Sequence, residues 1–313
     1  MADDSGVSSE TTPTTTREVF VTGPHGNRLA CTLFGEQHQR TVVLTSGIGC
    51  GPVFVRTLAR EFAKDHRVVY WDYRSHGRSD LAPAGTGYSI AEHAADLDKV
   101  VQAMVPEAQH PVMIGFSMGV QVTIEWARRN PERAGAYVFM LGLPRNPMHR
   151  TVVLRSQAGW LAEAIGVRGR SVLNLLQPAA TRVIRTSLTY GLAKTLGWIA
   201  RECPREDFED FLDYSTAIPL DAYLRCAGAI LRHDATDAFL SIRRPVYMLA
   251  AEGDLLVSPK ECREFAERLP QAQFEHLTFA SHAGSIEYGT YLAGAVRRFL
   301  RRLAIDRAIN SAA

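Results

Sequence analysis

The sequence predicts an α/β fold: a mostly parallel, eight-stranded sheet with helices on both faces and a helical insertion. Three observations predict it. Strand-type and helix-type runs alternate from residue 41 to 141 and again from 245 to 302. Between these blocks, about 145 to 240 carries helical stretches without strand alternation. Finally, Gly115-Phe116-Ser117-Met118-Gly119 sits where an apolar run, Pro111-Val112-Met113-Ile114, gives way to a helix-compatible one, Val120 to Ala127.

Each element follows from local pattern. Glu18–Val21 and Leu29–Phe34 read as strands joined by the turn Gly23-Pro24-His25-Gly26-Asn27, a β-hairpin. Thr41–Thr45 is a continuous apolar run of buried-strand type. Phe54–Ala63 is helical in pattern and Arg67–Trp71 is a strand. Ile90–Val105 reads as a helix with Ser89 at its N-cap and Glu92 completing a capping box. Val112-Met113-Ile114 enters the G-x-S-x-G segment, and Ala136–Leu141 is a further strand. After the break at Gly142-Leu143-Pro144 come a strand at Pro245–Ala250, a helix at Pro259–Leu269, a strand at Phe274–Thr278 and a helix at Ala283–Arg302.

The intervening helices are expected at Val152–Ile165, Ser171–Leu176, Ala180–Trp198, Arg205–Ser215 and Leu220–Arg232, with Pro178, Pro204 and Pro219 separating several of them. Both flanks continue one sheet pattern, so this stretch reads as an insertion covering the carboxyl edge of the sheet rather than as a second domain. The expected organisation is a tail at 1–17, a core formed by 18–144 and 241–303, a helical cap at 145–240 and a C-terminal tail at 304–313.

Bulk composition narrows the function. The 313 residues are 46% hydrophobic and 22% charged, ordinary for a globular chain. A net charge of +2 gives no reason to expect nucleic acid or an anionic membrane surface. Arg297, Arg298, Arg301 and Arg302 read as a solvated helix face. The cysteines at 31, 50, 203, 226 and 262 form no zinc spacing and read as reduced, buried thiols, which points to a cytoplasmic setting. The acidic, polar N-terminus lacks a signal-peptide pattern, and no apolar run is long enough to span a bilayer.

The chemistry centres on Ser117. In a strand-turn-helix context the G-x-S-x-G pentapeptide forms a nucleophile elbow, whose serine needs neighbours without Cβ atoms. A serine hydroxyl needs a base, and the base needs an orienting carboxylate. Both are expected further along the chain, acid first. Asp254 follows a strand in Leu249-Ala250-Ala251-Glu252-Gly253-Asp254, with Glu252 as the competing acid. His282 stands between the last strand and the last helix. His76 could line the site entrance, and His149 and His233 the pocket, while His276 lies within a strand and His25, His38, His66 and His110 fall in turns or on polar surface. The oxyanion donors are expected to be the amides of Met118 and Ile48, with Gly49 as the alternative to Ile48, in the loop Ser46-Gly47-Ile48-Gly49-Cys50-Gly51-Pro52. No phosphate-cradling motif occurs there, and Cys50 reads as a bystander lining the pocket.

These residues make the chain resemble the α/β-hydrolase-fold family with a helical cap, over about 18–303. Gly115–Gly119, Asp254 and His282 match the family's triad positions, and Trp71-Asp72-Tyr73-Arg74-Ser75-His76-Gly77-Arg78-Ser79 resembles its structural D-x-R-G-x-G-x-S segment. The chain departs from the family at Ser46, where a histidine usually precedes the oxyanion glycine, and at Val120, where a glycine often follows the elbow. The resemblance implies acyl transfer to water with no metal or organic cofactor. A serine nucleophile argues against epoxide hydrolase and haloalkane dehalogenase chemistry, which runs through an alkyl-enzyme ester. The expected substrate is a small hydrophobic ester held in an apolar pocket under the insertion, whose Trp160, Trp198 and Phe211 are expected mostly to pack cap helices. Thioesterase, lactonase, C–C bond hydrolase and cofactor-free perhydrolase chemistry use the same triad. A receptor or scaffold with a vestigial site is the non-enzymatic alternative. The chain is expected to be a monomer or homodimer.

Overall fold

A computed structural model describes residues 16–147 and 156–312, with side chains over 16–147 and 160–304. His149 and most of the expected N-terminal tail lie outside the described residues. The described residues open with β1 (Thr16–Thr22) and β2 (Arg28–Phe34), an antiparallel hairpin in which Thr16 pairs with Phe34, so Thr16 and Arg17 of the expected tail belong to a strand. β3 (Thr41–Thr45), a 3₁₀ turn at Pro52–Phe54, α1 (Arg56–Phe62) and β4 (Arg67–Trp71) follow. Next come α2 (Ile90–Met104), β5 (Val112–Phe116), α3 (Met118–Arg129) and β6 (Ala136–Met140). The inserted helices are α4 (Ser156–Arg168), α5 (Arg170–Ile184), α6 (Ser187–Thr195), α7 (Arg205–Ala217) and α8 (Leu220–Arg232). α9 (Thr236–Leu240), β7 (Val246–Gly253), α10 (Pro259–Glu267), β8 (Ala272–Ser281), α11 (Gly284–Glu287) and α12 (Gly289–Ala312) complete the chain.

The eight strands run in the order β1-β2-β4-β3-β5-β6-β7-β8. β1 with β2 and β2 with β4 pair antiparallel and every other pairing is parallel, a mostly parallel sheet as the sequence predicts. Alternate residues feed two cores, as the period of a strand requires. Val43, Val69 and Met113 pack with α2, α3 and α10 on one face. Val42, Leu44, Val68 and Ile114 pack with α1 and α12 on the other. The Ser89 hydroxyl accepts from Glu92 N at the start of α2 while the Glu92 carboxylate accepts from Ser89 N, the capping box expected there.

Three expectations are corrected. The final helix is two, α11 and α12, broken at Tyr288, and α12 continues through the expected C-terminal tail to Ala312. Pro178 lies inside α5 rather than between helices. Arg297 is not a solvated cation: it donates to both carboxylate oxygens of Asp65 at 2.8 Å, and its guanidinium lies 5.0 Å from the Phe62 ring centre, tying α12 to α1.

The chain leaves for the inserted helices and returns from them at one neck. Arg145 and Asp234 form an antiparallel bridge, Ala235 N donates to Pro144 O at 2.8 Å and Asn146 N to His233 O at 3.1 Å. α7 is joined to the core by Arg56, which pairs with Asp207 at 3.2 Å and with Asp210. Phe54 and Phe211 add an edge-to-face contact at 5.4 Å. α5 and α6 bury no residue, and Trp160 and Trp198 are exposed rather than packing the helices together.

Candidate active site

Ser117 stands between the end of β5 and the start of α3 with φ 52° and ψ −117°, a strained conformation for a residue with a Cβ. The glycines around it are steric necessities. A Cβ on Gly119 would lie 2.1 Å from Thr45 O, and one on Gly115 would lie 2.6 Å from Gly119 O. A Cβ on Gly47 would lie 3.0 Å from Ser117 Cβ, so the glycine-rich loop packs directly on the serine.

Ser117, His282 and Asp254 come from three separate strand ends and meet. His282 Nε2 lies 3.0 Å from Ser117 Oγ, and His282 Nδ1 lies 2.7 Å from Asp254 Oδ2. The Asp254 side chain is fully buried, and its Oδ1 accepts from Leu256 N and Val257 N, each at 2.8 Å. Those two amides fix the carboxylate and leave its second oxygen for the imidazole. The Phe116 ring lies 5.5 Å from the His282 ring and walls it on one side. Glu252 is excluded from this group: it is exposed and lies 2.7 Å from His276 Nε2.

The loop before the 3₁₀ turn meets the N-terminus of α3 at Ser117. Met118 is the first residue of α3, so the positive end of that helix points at the elbow. In the loop, Cys50 N donates to Gly47 O at 3.2 Å and Ser46 Oγ donates to Cys50 O at 2.5 Å, closing a compact turn around Ile48. Ser46 thus braces the loop. Gly49, at φ 67°, faces Tyr223 and Ser215 of the inserted helices rather than Ser117. Val120 is fully buried beneath Gly142. Burial pushes the Cys50 thiol well up, so it stays protonated.

His76, His233 and His93 have structural surroundings. His76 does not line an entrance: it is 1% exposed, packs on Tyr73 and places Nδ1 3.1 Å from Arg74 O. Burial holds its pKa down to about 4. His233 ends α8 beside Glu125. His93, which sequence reasoning passed over, is buried between Tyr73 and Cys226, with Nε2 3.5 Å from the sulfur.

Tyr214 and Tyr223, also missed, cover the glycine loop from α7 and α8. A Cβ on Gly51 would lie 2.4 Å from the Tyr214 ring, and one on Gly49 would lie 2.8 Å from the Tyr223 ring. No local motif marks either tyrosine, because only the return of the inserted helices to the sheet edge brings them there. Among the described residues no group of three or more His, Cys, Asp or Glu side chains is placed to hold a metal ion. No helix among them is long and apolar enough to cross a membrane.

Comparison with known proteins agrees with this architecture. The chain is 24% identical over 248 residues to "Putative carbamate hydrolase RutD" of Caulobacter segnis, covering 79% of this chain and 86% of that one. It superposes on a thermophilic esterase from Thermogutta terrifontis with a TM-score of 0.71 at 20% identity, covering 91% of this chain and 98% of the other. It superposes on the enol-lactonase from Burkholderia xenovorans LB400 with a TM-score of 0.70 at 19% identity, covering 90% and 100%. The model of the alpha/beta hydrolase fold family matches residues 40–287, and the chain belongs to that family.

Proposed function

We propose that the chain is a serine hydrolase that cleaves carboxylic esters of small hydrophobic substrates through an acyl-enzyme. The observation that carries the reading is the Ser117–His282–Asp254 relay, with contacts of 3.0 and 2.7 Å. His282 Nε2 removes the Ser117 proton as Oγ attacks the carbonyl carbon. Asp254, anchored by two backbone amides, holds Nδ1–H and stabilises the imidazolium that forms. The amides of Met118 and Ile48 are the proposed donors to the oxyanion, and each such donor contributes roughly a hundredfold or more in rate. His282 then protonates the leaving alcohol, activates water against the acyl-enzyme and regenerates Ser117. Every proton is carried by His282, so the cycle needs no cofactor.

The inserted helices serve in this reading as the cap over the acyl and alcohol pocket. Tyr214 and Tyr223 rest on the glycine loop beside Ser117, so α7 and α8 are the cap helices we place against the reacting carbonyl. The test is hydrolysis of p-nitrophenyl acyl esters by the wild type and Ser117→Ala, together with fluorophosphonate labelling. The expected result is turnover and stoichiometric labelling that both vanish in the variant. Equal activity in both proteins, or a wild type that takes no label, would overturn the reading and favour a binder with a vestigial site.

Carbamate hydrolysis is the second reading, favoured by the name of the curated relatives. The same serine attacks a carbamate carbonyl, and the same histidine protonates a departing amine or ammonia. Competition between an ester and a carbamate for the wild type, read as the ratio of kcat/KM values, separates the two.

A further inference from the structure

The inserted helices expose an unusual amount of apolar side chain. On α5, Val172, Leu175, Leu176 and Val183 recur at the spacing of one helical stripe, and all four are exposed, Leu175 by 79%. On α6, Leu188 and Leu192 stand one turn apart and are 78% and 58% exposed. A soluble surface rarely presents so many large apolar groups close together along the chain unless something covers them.

Charge is segregated to the same stretch. Residues 160–201 contain Arg168, Arg170, Arg182, Arg185, Lys194 and Arg201 against the single acid Glu163, a net +5, so the remainder of a +2 chain carries −3. Arg185 pairs with Asp213 at 2.6 Å, and Arg170 comes within 3.6 Å of Asp221. Arg182, and Arg168 at the end of α4, have no ion-pair partner among the described residues, while Arg201 sits beside Glu202 and attracts its carboxylate. An open groove of about 660 Å³ follows α5, with Asn174, Thr181, Arg182 and Arg185 in its lining. The modest net charge of the chain conceals this division.

We propose that α5 and α6 form a docking surface for an anionic lipid bilayer. The leucine and valine stripe would sit at the acyl boundary while the arginines meet headgroup phosphates. Apolar burial and attraction to anionic lipid act together in such interfacial helices. Complementary charge selects this occupant over a second copy of the chain. A two-fold contact through this face would set the unpaired Arg182 and its basic neighbours against their own copies, whereas an anionic leaflet neutralises them. α5 is also fixed relative to the site: Gln177 Nε2 donates to Thr216 O at 3.1 Å and Ile218 O at 2.9 Å, at the end of the helix that carries Tyr214. The proposal does not depend on Ser117 being a nucleophile.

The test is vesicle flotation of the full chain with phosphatidylcholine alone and with phosphatidylcholine mixed with phosphatidylglycerol. The expected result is flotation with the mixed vesicles only, reversed by added salt. Leu175→Glu with Leu188→Glu, and separately Arg182→Glu, are each expected to weaken binding by at least about tenfold. Hydrolysis of a soluble p-nitrophenyl ester and the melting temperature are expected to stay unchanged in both, since these side chains are exposed. Failure of the wild type to float with either vesicle would overturn the proposal. So would equal flotation with both regardless of salt, or a homodimer in light scattering that Leu175→Glu with Leu188→Glu dissociates.

Discussion

Tyr214 on α7 donates a 2.7 Å hydrogen bond to Asp72 Oδ1, the same oxygen that accepts from Tyr70 at 2.8 Å. Asp72 is buried just past the carboxyl end of β4, so this bond ties an inserted helix to the sheet edge. The Tyr214 ring simultaneously covers Gly51 in the loop that packs on Ser117. Burial drives both phenols well above their ordinary pKa, so each remains a donor to the carboxylate.

Tyr214→Phe is therefore expected to remove one hydrogen bond to a buried charge while keeping the ring. The cost should be about 1.5–3 kcal/mol, seen in calorimetry as a melting point lower by several degrees. Turnover should survive in the phenylalanine variant, because the ring still covers Gly51. It should fall in Tyr214→Ala, which uncovers the loop. Equal losses in the two variants would show that the hydroxyl, not the ring, sets the loop.

The contrast between Ser117 and Tyr214 shows what a sequence makes legible. Ser117, Met118 and the glycines on either side announce their conformation through a five-residue pattern bounded by a strand and a helix. The Ser89–Glu92 cap and the alternating strands are likewise local. Asp254 and His282 are separated by 28 positions in the chain, yet the required order of acid and base after the elbow marks both. Tyr214 on Asp72, Arg297 on Phe62 and Gly47 against Ser117 are contacts between distant segments, and no local period encodes them. Pro178 sits inside α5 although proline's cost within a helix argues for a boundary there. The exposure of Leu175 and Leu188 was also hidden, since helical periodicity looks the same whether the apolar stripe meets a core or water.

Acid should destabilise the fold through His76. Burial holds this imidazole neutral down to about pH 4, against 6.5 for the free side chain. Between those values the unfolded chain takes up a proton that the native state refuses, so stability falls as pH drops from about 6.5 to 4 and no further through this group below that. The gap corresponds to at most about 3–4 kcal/mol. Urea unfolding of the wild type and His76→Gln across this range should show a shallower acid limb in the variant. Parallel curves would remove His76 as the cause.

Two glycine-to-alanine changes should behave oppositely. A Cβ on Gly119 meets Thr45 O at 2.1 Å and Ser46 O at 2.7 Å, both backbone atoms that cannot turn aside. Gly119→Ala must push β3 away from α3 and is expected to cost more than about 3 kcal/mol, or to leave little soluble protein. Gly191, inside α6, has nothing within 4 Å of its would-be Cβ. Gly191→Ala should stabilise α6 by up to about 1 kcal/mol. Chemical denaturation of the two variants alongside the wild type measures both, and a tolerated Gly119→Ala would mean that the close approach of the loop to the elbow is not required.

On the proposed mechanism, Asp254→Asn separates the orienting role of the carboxylate from its role in the fold. The asparagine can retain the two bonds from Leu256 N and Val257 N through Oδ1. Its amide nitrogen then faces His282 Nδ1 and donates where a carboxylate accepts. The imidazole must place its proton on Nε2, which points at Ser117 Oγ, and the base is lost while the architecture stands. The expected fall in kcat is about ten-thousandfold, with a parallel fall in the rate of fluorophosphonate labelling and a melting temperature close to the wild type. Glu252→Gln should leave both rates nearly unchanged, because Glu252 is exposed and sits against His276 rather than His282. A large loss in Glu252→Gln with little in Asp254→Asn would transfer the acid role to Glu252. A wild-type rate in Asp254→Asn would mean that His282 holds its productive tautomer without a carboxylate.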